Sequence, residues 1–251
     1  MIVRTLLLIV LLGSDAWAAG DLSGFAYDQR LGEPLPLTAT FTDEYGGEVT
    51  LRQLLRQRPA ILALSYFHCP NLCGLVRDDL LNALSRMKSG QDYGVVVLSI
   101  DPSETPADAK AAGATDMARY GTTADLHYVT GSASAIRAVT DAVGFRSRFD
   151  PETKQFLHPA GIVFLTGDGT VSGYLLGLGY QPGDVSLGIT RAAGGIGARA
   201  LPVLLLCFHF DPVTGRYTLA VMRVLQLGAA ITVLVVGGTM MLALRRERRP
   251  R

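Results

Sequence analysis

The chain has 251 residues, 23 Lys and Arg against 22 Asp and Glu, a formal net charge of +1 and three cysteines. Setting aside Arg4, Arg223 and the five arginines of the C-terminal tail, together with Asp15 and Glu247, leaves about 16 basic against 20 acidic residues, which excludes a polyanion-binding role for the bulk of the chain. That bulk, roughly 200 residues, suits one domain with a real core.

Met1-Ile2-Val3-Arg4, the apolar stretch Thr5 to Leu12 and the small-residue run Ala16-Trp17-Ala18-Ala19 have the layout of a secretory signal peptide, with cleavage after Ala18 or Ala19. The apolar segment is shorter than the roughly 20 residues a membrane span requires, which disfavours an uncleaved anchor. Residues 20–36, rich in Gly, Pro and polar types, read as a lead-in.

Leu37 to Asp43 alternates as a short strand, Glu44 to Gly47 turns, and Leu51 to Gln57 suits a short helix. Pro59 to Phe67 is an apolar run with the character of a buried strand, and Asn71 to Lys88 is helical, with Leu72, Val76, Leu80, Leu84 and Met87 on one stripe. Charges stand at Arg77, Asp78, Asp79, Arg86 and Lys88. Tyr93 to Ile100 is a second buried, valine-rich strand. Thr105 as N-cap, Pro106 at the first helical position and Asp108 two residues on predict a capped helix to about Tyr120. Leu126 to Thr130 follows as a strand and Ala133 to Val143 as a helix. Phe149 to Phe156 carries an Asp150-Pro151-Glu152-Thr153 turn. Ala160 to Leu165 and Val171 to Leu176 are strands about a Thr166-Gly167-Asp168-Gly169 hairpin. Alternating strands and helices that end in a hairpin predict an α/β domain with a central mixed sheet flanked by helices. No repeat is present.

The chemistry gathers at Cys69-Pro70-Asn71-Leu72-Cys73. Cysteines four apart share one helix face, and Pro70 suits a first helical turn, so both sulfurs are expected at a helix N-terminus, where thiolate is favoured. Paired thiolates either hold a soft metal or cycle between dithiol and disulfide. His158, between the Asp150 turn and the strand from Ala160, is the third candidate ligand. Two thiolates with one imidazole suit copper as Cu(I) or Cu(II), whereas structural zinc asks for a fourth protein ligand. The competing reading of His158 is a loop-edge residue with a satisfied hydrogen bond. His68 reads as a residue shaping the strand exit rather than as a ligand, and Asp101 as a cap for the loop that follows it. Cys207 and His209 alternate on an extended chain and form a possible accessory pair, but an apolar segment with a buried free cysteine is the simpler account.

The C-terminal end differs from the N-terminal one. Residues 194–220 read as a juxtamembrane segment and 221–244 as a transmembrane helix, since Val224 to Leu244 gives about 21 apolar or small residues. The arginine-rich 245–251 marks the cytoplasmic side. The expected address is therefore the inner membrane of a bacterium, single-pass, with the main domain periplasmic.

Cys69-Pro70-Asn71-Leu72-Cys73, Ile100-Asp101-Pro102 with Glu104-Thr105, His158 before an apolar strand, and the Gly167-Asp168-Gly169 hairpin together resemble the Sco/SenC family over about Leu37 to Tyr180. The resemblance implies a thioredoxin-like fold over 37–193 and copper held by Cys69, Cys73 and His158. It also implies a metallochaperone role towards the binuclear copper centre of cytochrome c oxidase subunit II; the exported address calls for a thiol reductant to serve the cysteine pair, and the charge balance for no nucleic acid partner. Leu157 stands where many members have Asp, which removes a carboxylate that would tune the ligand, and Gly74 stands where many have Pro. A C-terminal anchor departs from the usual N-terminal one. The rival function is an exported thiol-disulfide oxidoreductase using Cys69 and Cys73, against which the three-residue spacer argues. A peroxide-reducing thiol enzyme is a third, weaker reading. No P-loop, dinucleotide fingerprint or Ser-His-Asp signature is present.

Overall fold

The computed structural model describes residues 26–68, 73–87, 90–121, 124–151, 155–195 and 197, with isolated helical residues between 228 and 238. The expected signal peptide, most of the 194–220 segment and the tail lie outside the described residues, as does most of 221–244. Among the described residues no helix is long and apolar enough to cross a membrane. The domain falls within Leu22–Cys207, one of two compact units of the chain.

Its centre is formed by β4 (Ala60–Ser65) and β5 (Gly94–Ser99), whose residues are buried without exception. Such continuous apolar runs, rather than alternating ones, mark strands covered on both faces. β4 pairs parallel with β5 from Ala60↔Gly94 to Ser65↔Ser99, and β5 pairs parallel with β6 (Asp125–Thr130). Antiparallel strands complete the sheet: β10 (Gly161–Leu165) and β11 (Val171–Leu176) beyond β4, β2 (Thr40–Asp43) and β3 (Glu48–Thr50) beyond β6. The order is β11-β10-β4-β5-β6-β2-β3, the mixed sheet expected from the sequence.

Successive side chains of a strand face opposite sides, and β4 accordingly divides its residues between two cores. Leu62 and Leu64 pack with Leu51, Leu54 and Leu55 of α1 (Leu51–Leu55) and with Ile136 and Val139 of α4 (Ala133–Ala142). Ile61 and Ala63 pack with Val76, Leu80 and Leu84 of α2 (Cys73–Ser85), with Ala109 and Ala112 of α3 (Pro106–Tyr120), and with Val185 and Ile189 of α5 (Pro182–Ala193). Two small antiparallel ribbons flank the sheet, β1 (Ala26–Tyr27) with β7 (Phe145–Arg146) and β8 (Arg148–Asp150) with β9 (Gln155–Leu157).

The start of α3 is as the sequence predicts. Pro106 is at its first position, and the Asp108 carboxylate accepts from Thr105 N (2.8 Å) and Thr105 Oγ1 (2.7 Å). These bonds hold the Asp108 carboxyl below the usual carboxylate range.

Strands β1, β3 and β7 are additional to the sequence expectation, and three further features differ from it. Helix α5 is additional; Gly183 and Gly188 dilute its helical signal, although Pro182 at its first turn and Val185, Ile189 and Ala192 on one face mark it. The glycine at 188 permits close packing, since a Cβ there would come within 2.3 Å of the Phe164 ring. Second, the span around the Asp150 turn is a short strand pair rather than a turn alone. Third, Arg77 is buried (9% exposed), with Nε 2.5 Å from Asp116 Oδ2. This is a charge contact rather than an aligned hydrogen bond. Tyr128 Oη donates to the same carboxylate oxygen at 2.7 Å. Burial pushes the Asp116 carboxyl above its ordinary range, against the pull of the guanidinium.

The pair ties α2 to α3. Replacing Asp116 by Ala strands a buried guanidinium and should cost about 3–5 kcal/mol in urea unfolding, with much of it recovered in Arg77→Met/Asp116→Leu. Gly188→Ala, which overfills a tight contact, should cost about 1–3 kcal/mol in the same measurement.

Candidate metal centre

The parallel pairing of β4 and β5 brings both carboxyl ends to one level, the end of an open α/β sheet where ligand sites are usually built. Ile100 N donates to Ser65 O at 2.8 Å, so the loops leaving the two strands start side by side. From β4 the chain passes through the buried Tyr66, then Phe67 and His68. The backbone of Cys73 opens α2. Cys69 to Leu72 and the side chain of Cys73 lie outside the described residues, as do Cys207 and His209.

The loop leaving β5 holds the loop leaving β4. Glu104 Oε1 accepts from Phe67 N at 2.6 Å and from His68 N at 2.7 Å, and its Oε2 accepts from Ser99 Oγ at 2.5 Å. The side chain is 2% exposed. Asp101 caps its own turn, as expected, accepting from Ser103 N (2.8 Å) and Ser103 Oγ (2.6 Å). The exposed His68 ring lies between two carboxylates, Nδ1 3.3 Å from Glu104 Oε1 and Nε2 3.3 Å from Asp108 Oδ1. The ring thus lies against the loop that leaves β5 and the start of α3.

His158 enters from the opposite side. β10 runs antiparallel to β4 with Ile162 opposite Ala63. Continuing that register carries position 158 to the level of Phe67, two residues before Cys69. Ring contacts confirm the approach: the imidazole centroid is 6.0 Å from that of Tyr66 and 5.9 Å from that of Phe145, and Phe156 packs edge-on against Tyr66 at 5.7 Å.

The imidazole is 3% exposed, and its Nδ1 is 3.0 Å from Pro159 O. A carbonyl only accepts, so Nδ1 carries the proton and Nε2 presents its lone pair. Burial lowers the pKa of the ring, so the neutral form is favoured. Among the described residues Nε2 has no hydrogen-bond partner. An orphaned buried acceptor costs roughly 1–3 kcal/mol. Metal ligation would satisfy it, and a metal-bound histidine commonly donates its other N–H to a carbonyl or carboxylate. Pro159 O supplies here what a carboxylate at position 157 would supply; the side chain there is that of Leu157. The loop-edge alternative thus describes half of the ring, since among the described residues one nitrogen is satisfied and the other is not.

The donor set therefore fits a soft metal on chemical grounds: two cysteines four apart in sequence and one neutral imidazole whose Nε2 has no partner among the described residues. Among the described residues no three His, Cys, Asp or Glu side chains form a metal cluster. Sequence reasoning placed Glu104 only within a motif and missed its role. The available signal was an acid directly before a helix N-cap, in a loop leaving a buried strand.

The SCO1/SenC family model matches residues 32–190. Among solved structures, a candidate electron transfer protein from Aquifex aeolicus VF5 is 27% identical, with 66% of this chain and 95% of that one covered and a TM-score of 0.58. ScoI of Arabidopsis thaliana, solved with copper bound, is 18% identical, with 65% and 98% covered and a TM-score of 0.52. A SCO1/SenC family lipoprotein from Bacillus anthracis is 21% identical, with 67% and 99% covered and a TM-score of 0.52. No curated protein is similar enough to count as a match. The fold is thioredoxin-like, and the family match extends over well more than half of the chain, from the lead-in through β11 and into α5. The chain belongs to the SCO1/SenC family.

Proposed function

We propose that this protein is a copper chaperone that holds one copper ion between Cys69, Cys73 and His158 and passes it to an apo-protein, with cytochrome c oxidase subunit II as the expected acceptor. The observation that carries the reading is the His158 ring, buried with its tautomer fixed and Nε2 unpartnered among the described residues, at the level of the strand exit that leads to Cys69. Family membership and the copper bound in the Arabidopsis relative support the choice of metal.

The residues divide the work. Cys69 and Cys73 supply thiolate, which favours Cu(I), while His158 supplies imidazole, which suits Cu(II). Pro159 O keeps the imidazole in the ligating tautomer. Tyr66 and Phe145 pack against the ring, and Phe156 packs edge-on against Tyr66. With three protein ligands rather than four, an incoming thiolate or imidazole of the acceptor can bind before the donor ligands leave. Transfer is then a sequence of ligand exchanges with no net redox change. The sequence pattern of residues 1–19 and 221–251 supports a tether in the bacterial inner membrane, with the domain on the periplasmic side and a reductant keeping the cysteines as thiols.

Thiol-disulfide exchange is the second reading, favoured by the electron transfer description of the Aquifex relative. Its dependence on His158 separates the two. The full chain, purified with reduced thiols, should retain close to one copper with a thiolate charge-transfer band. His158→Ala should weaken binding at least tenfold, about 1.4 kcal/mol. A His158→Ala protein that retains copper like the wild type, or a wild type that retains none while its cysteine pair cycles freely with glutathione, would overturn the chaperone reading.

A further inference from the structure

We propose that Glu104 is the positioning residue of the cysteine loop, fixing where Cys69 leaves the sheet. The proposal deepens the copper-site reading and rests on it for its metal. One carboxylate oxygen collects two consecutive peptide N–H groups, those of Phe67 and His68, at 2.6 and 2.7 Å. Such paired amides form an anion-binding concavity. The second oxygen is held by Ser99 Oγ. Both oxygens of a buried side chain are therefore in use, and among the described residues no Lys or Arg pairs with it.

What is fixed is the direction of the chain one peptide unit before the first cysteine. Consecutive Cα atoms are about 3.8 Å apart, so the amides that Glu104 holds stop one residue short of Cys69. Glu104 is itself immobilised: its N donates to Asp101 O at 3.2 Å, and Asp101 N donates to Ser99 Oγ at 3.1 Å. The next residue, Thr105, is the N-cap of α3.

The same helix holds the other side of the loop. Asp116 of α3 pairs with Arg77, one turn after Cys73 on α2. Helix α3 thus acts as a splint between the cysteines, with Glu104 at its start anchoring the approach to Cys69 and Asp116 anchoring the helix that begins at Cys73. What the site needs from Glu104 is an acceptor at the Oε1 position.

The test compares Glu104→Ala, Glu104→Asp and Glu104→Gln in the full chain, each checked for folding by circular dichroism. One readout is copper affinity by competition. The other, free of metal, is the equilibrium in which the Cys69/Cys73 dithiol and one oxidised glutathione give the intramolecular disulfide and two reduced glutathiones. Ala provides no acceptor, and Asp is one methylene too short. Both should lose at least tenfold in copper affinity and shift the exchange at least tenfold towards dithiol, about 30 mV, because the two sulfurs are no longer held together. Gln should come within threefold of the wild type on both. Its Oε1 can accept both amides, and its Nε2 can donate to Ser99 Oγ while that hydroxyl turns its proton to Asp101 O, 3.2 Å away.

A folded Ala or Asp variant with wild-type affinity and exchange overturns the proposal, as does a Gln variant that falls as far as Ala. If Ala does not fold, the Asp and Gln comparison decides it alone. A wild type that binds no copper would overturn the copper reading instead, and the glutathione equilibrium would still judge Glu104.

Discussion

The in-register parallel pairing of β4 with β5 sets Ser65 beside Ser99, and the geometry of the site follows from it. The two strands end at the same level, so the loop with the cysteines and the loop with Glu104 leave the sheet as neighbours. Ser99 then orients the carboxylate that receives the amides of Phe67 and His68. The antiparallel register of β10 on the other side of β4 delivers His158 to the same level. A slip of one residue in either pairing would turn every side chain of that strand to the opposite face. The two buried cores, which claim alternate residues of β4, forbid it.

This arrangement explains how an imidazole can be kept ready for a metal without a carboxylate beside it. A buried aromatic wall favours the neutral ring, and the carbonyl of the adjacent proline selects the tautomer. Neither feature needs the side chain at position 157, so Leu157 is compatible with a ligating His158. A carbonyl is a weaker partner than a carboxylate, however, and places less electron density on the ligating nitrogen. In the proposed site the thiolates would then dominate, which favours the reduced metal.

The central strands, the helices flanking them and the start of α3 were legible because their signals are local: an unbroken apolar run, one stripe at helical spacing, and a Thr-Pro-x-Asp cap. Helix α5 was harder to read because two glycines dilute a short stripe. Arg77 and Glu104 were illegible for a different reason. A charged residue in sequence reads as solvated, and only the long-range partner, Asp116 for one and the backbone of residues 67 and 68 for the other, makes its burial affordable. His158 was legible as a candidate from its place before an apolar strand. Its burial depends on Tyr66 and Phe145, which are distant in sequence, and its tautomer on the carbonyl of Pro159, and no spacing rule reports either.

The claim on which the account rests is that two thiolates and Nε2 of His158 meet at one copper ion. X-ray absorption at the copper edge of the copper-loaded full chain tests it directly. The account predicts a shell of two sulfur scatterers and one imidazole nitrogen, with the imidazole outer-shell signature absent in His158→Ala. A wild-type spectrum with sulfur alone, or with only oxygen and nitrogen neighbours, would contradict it.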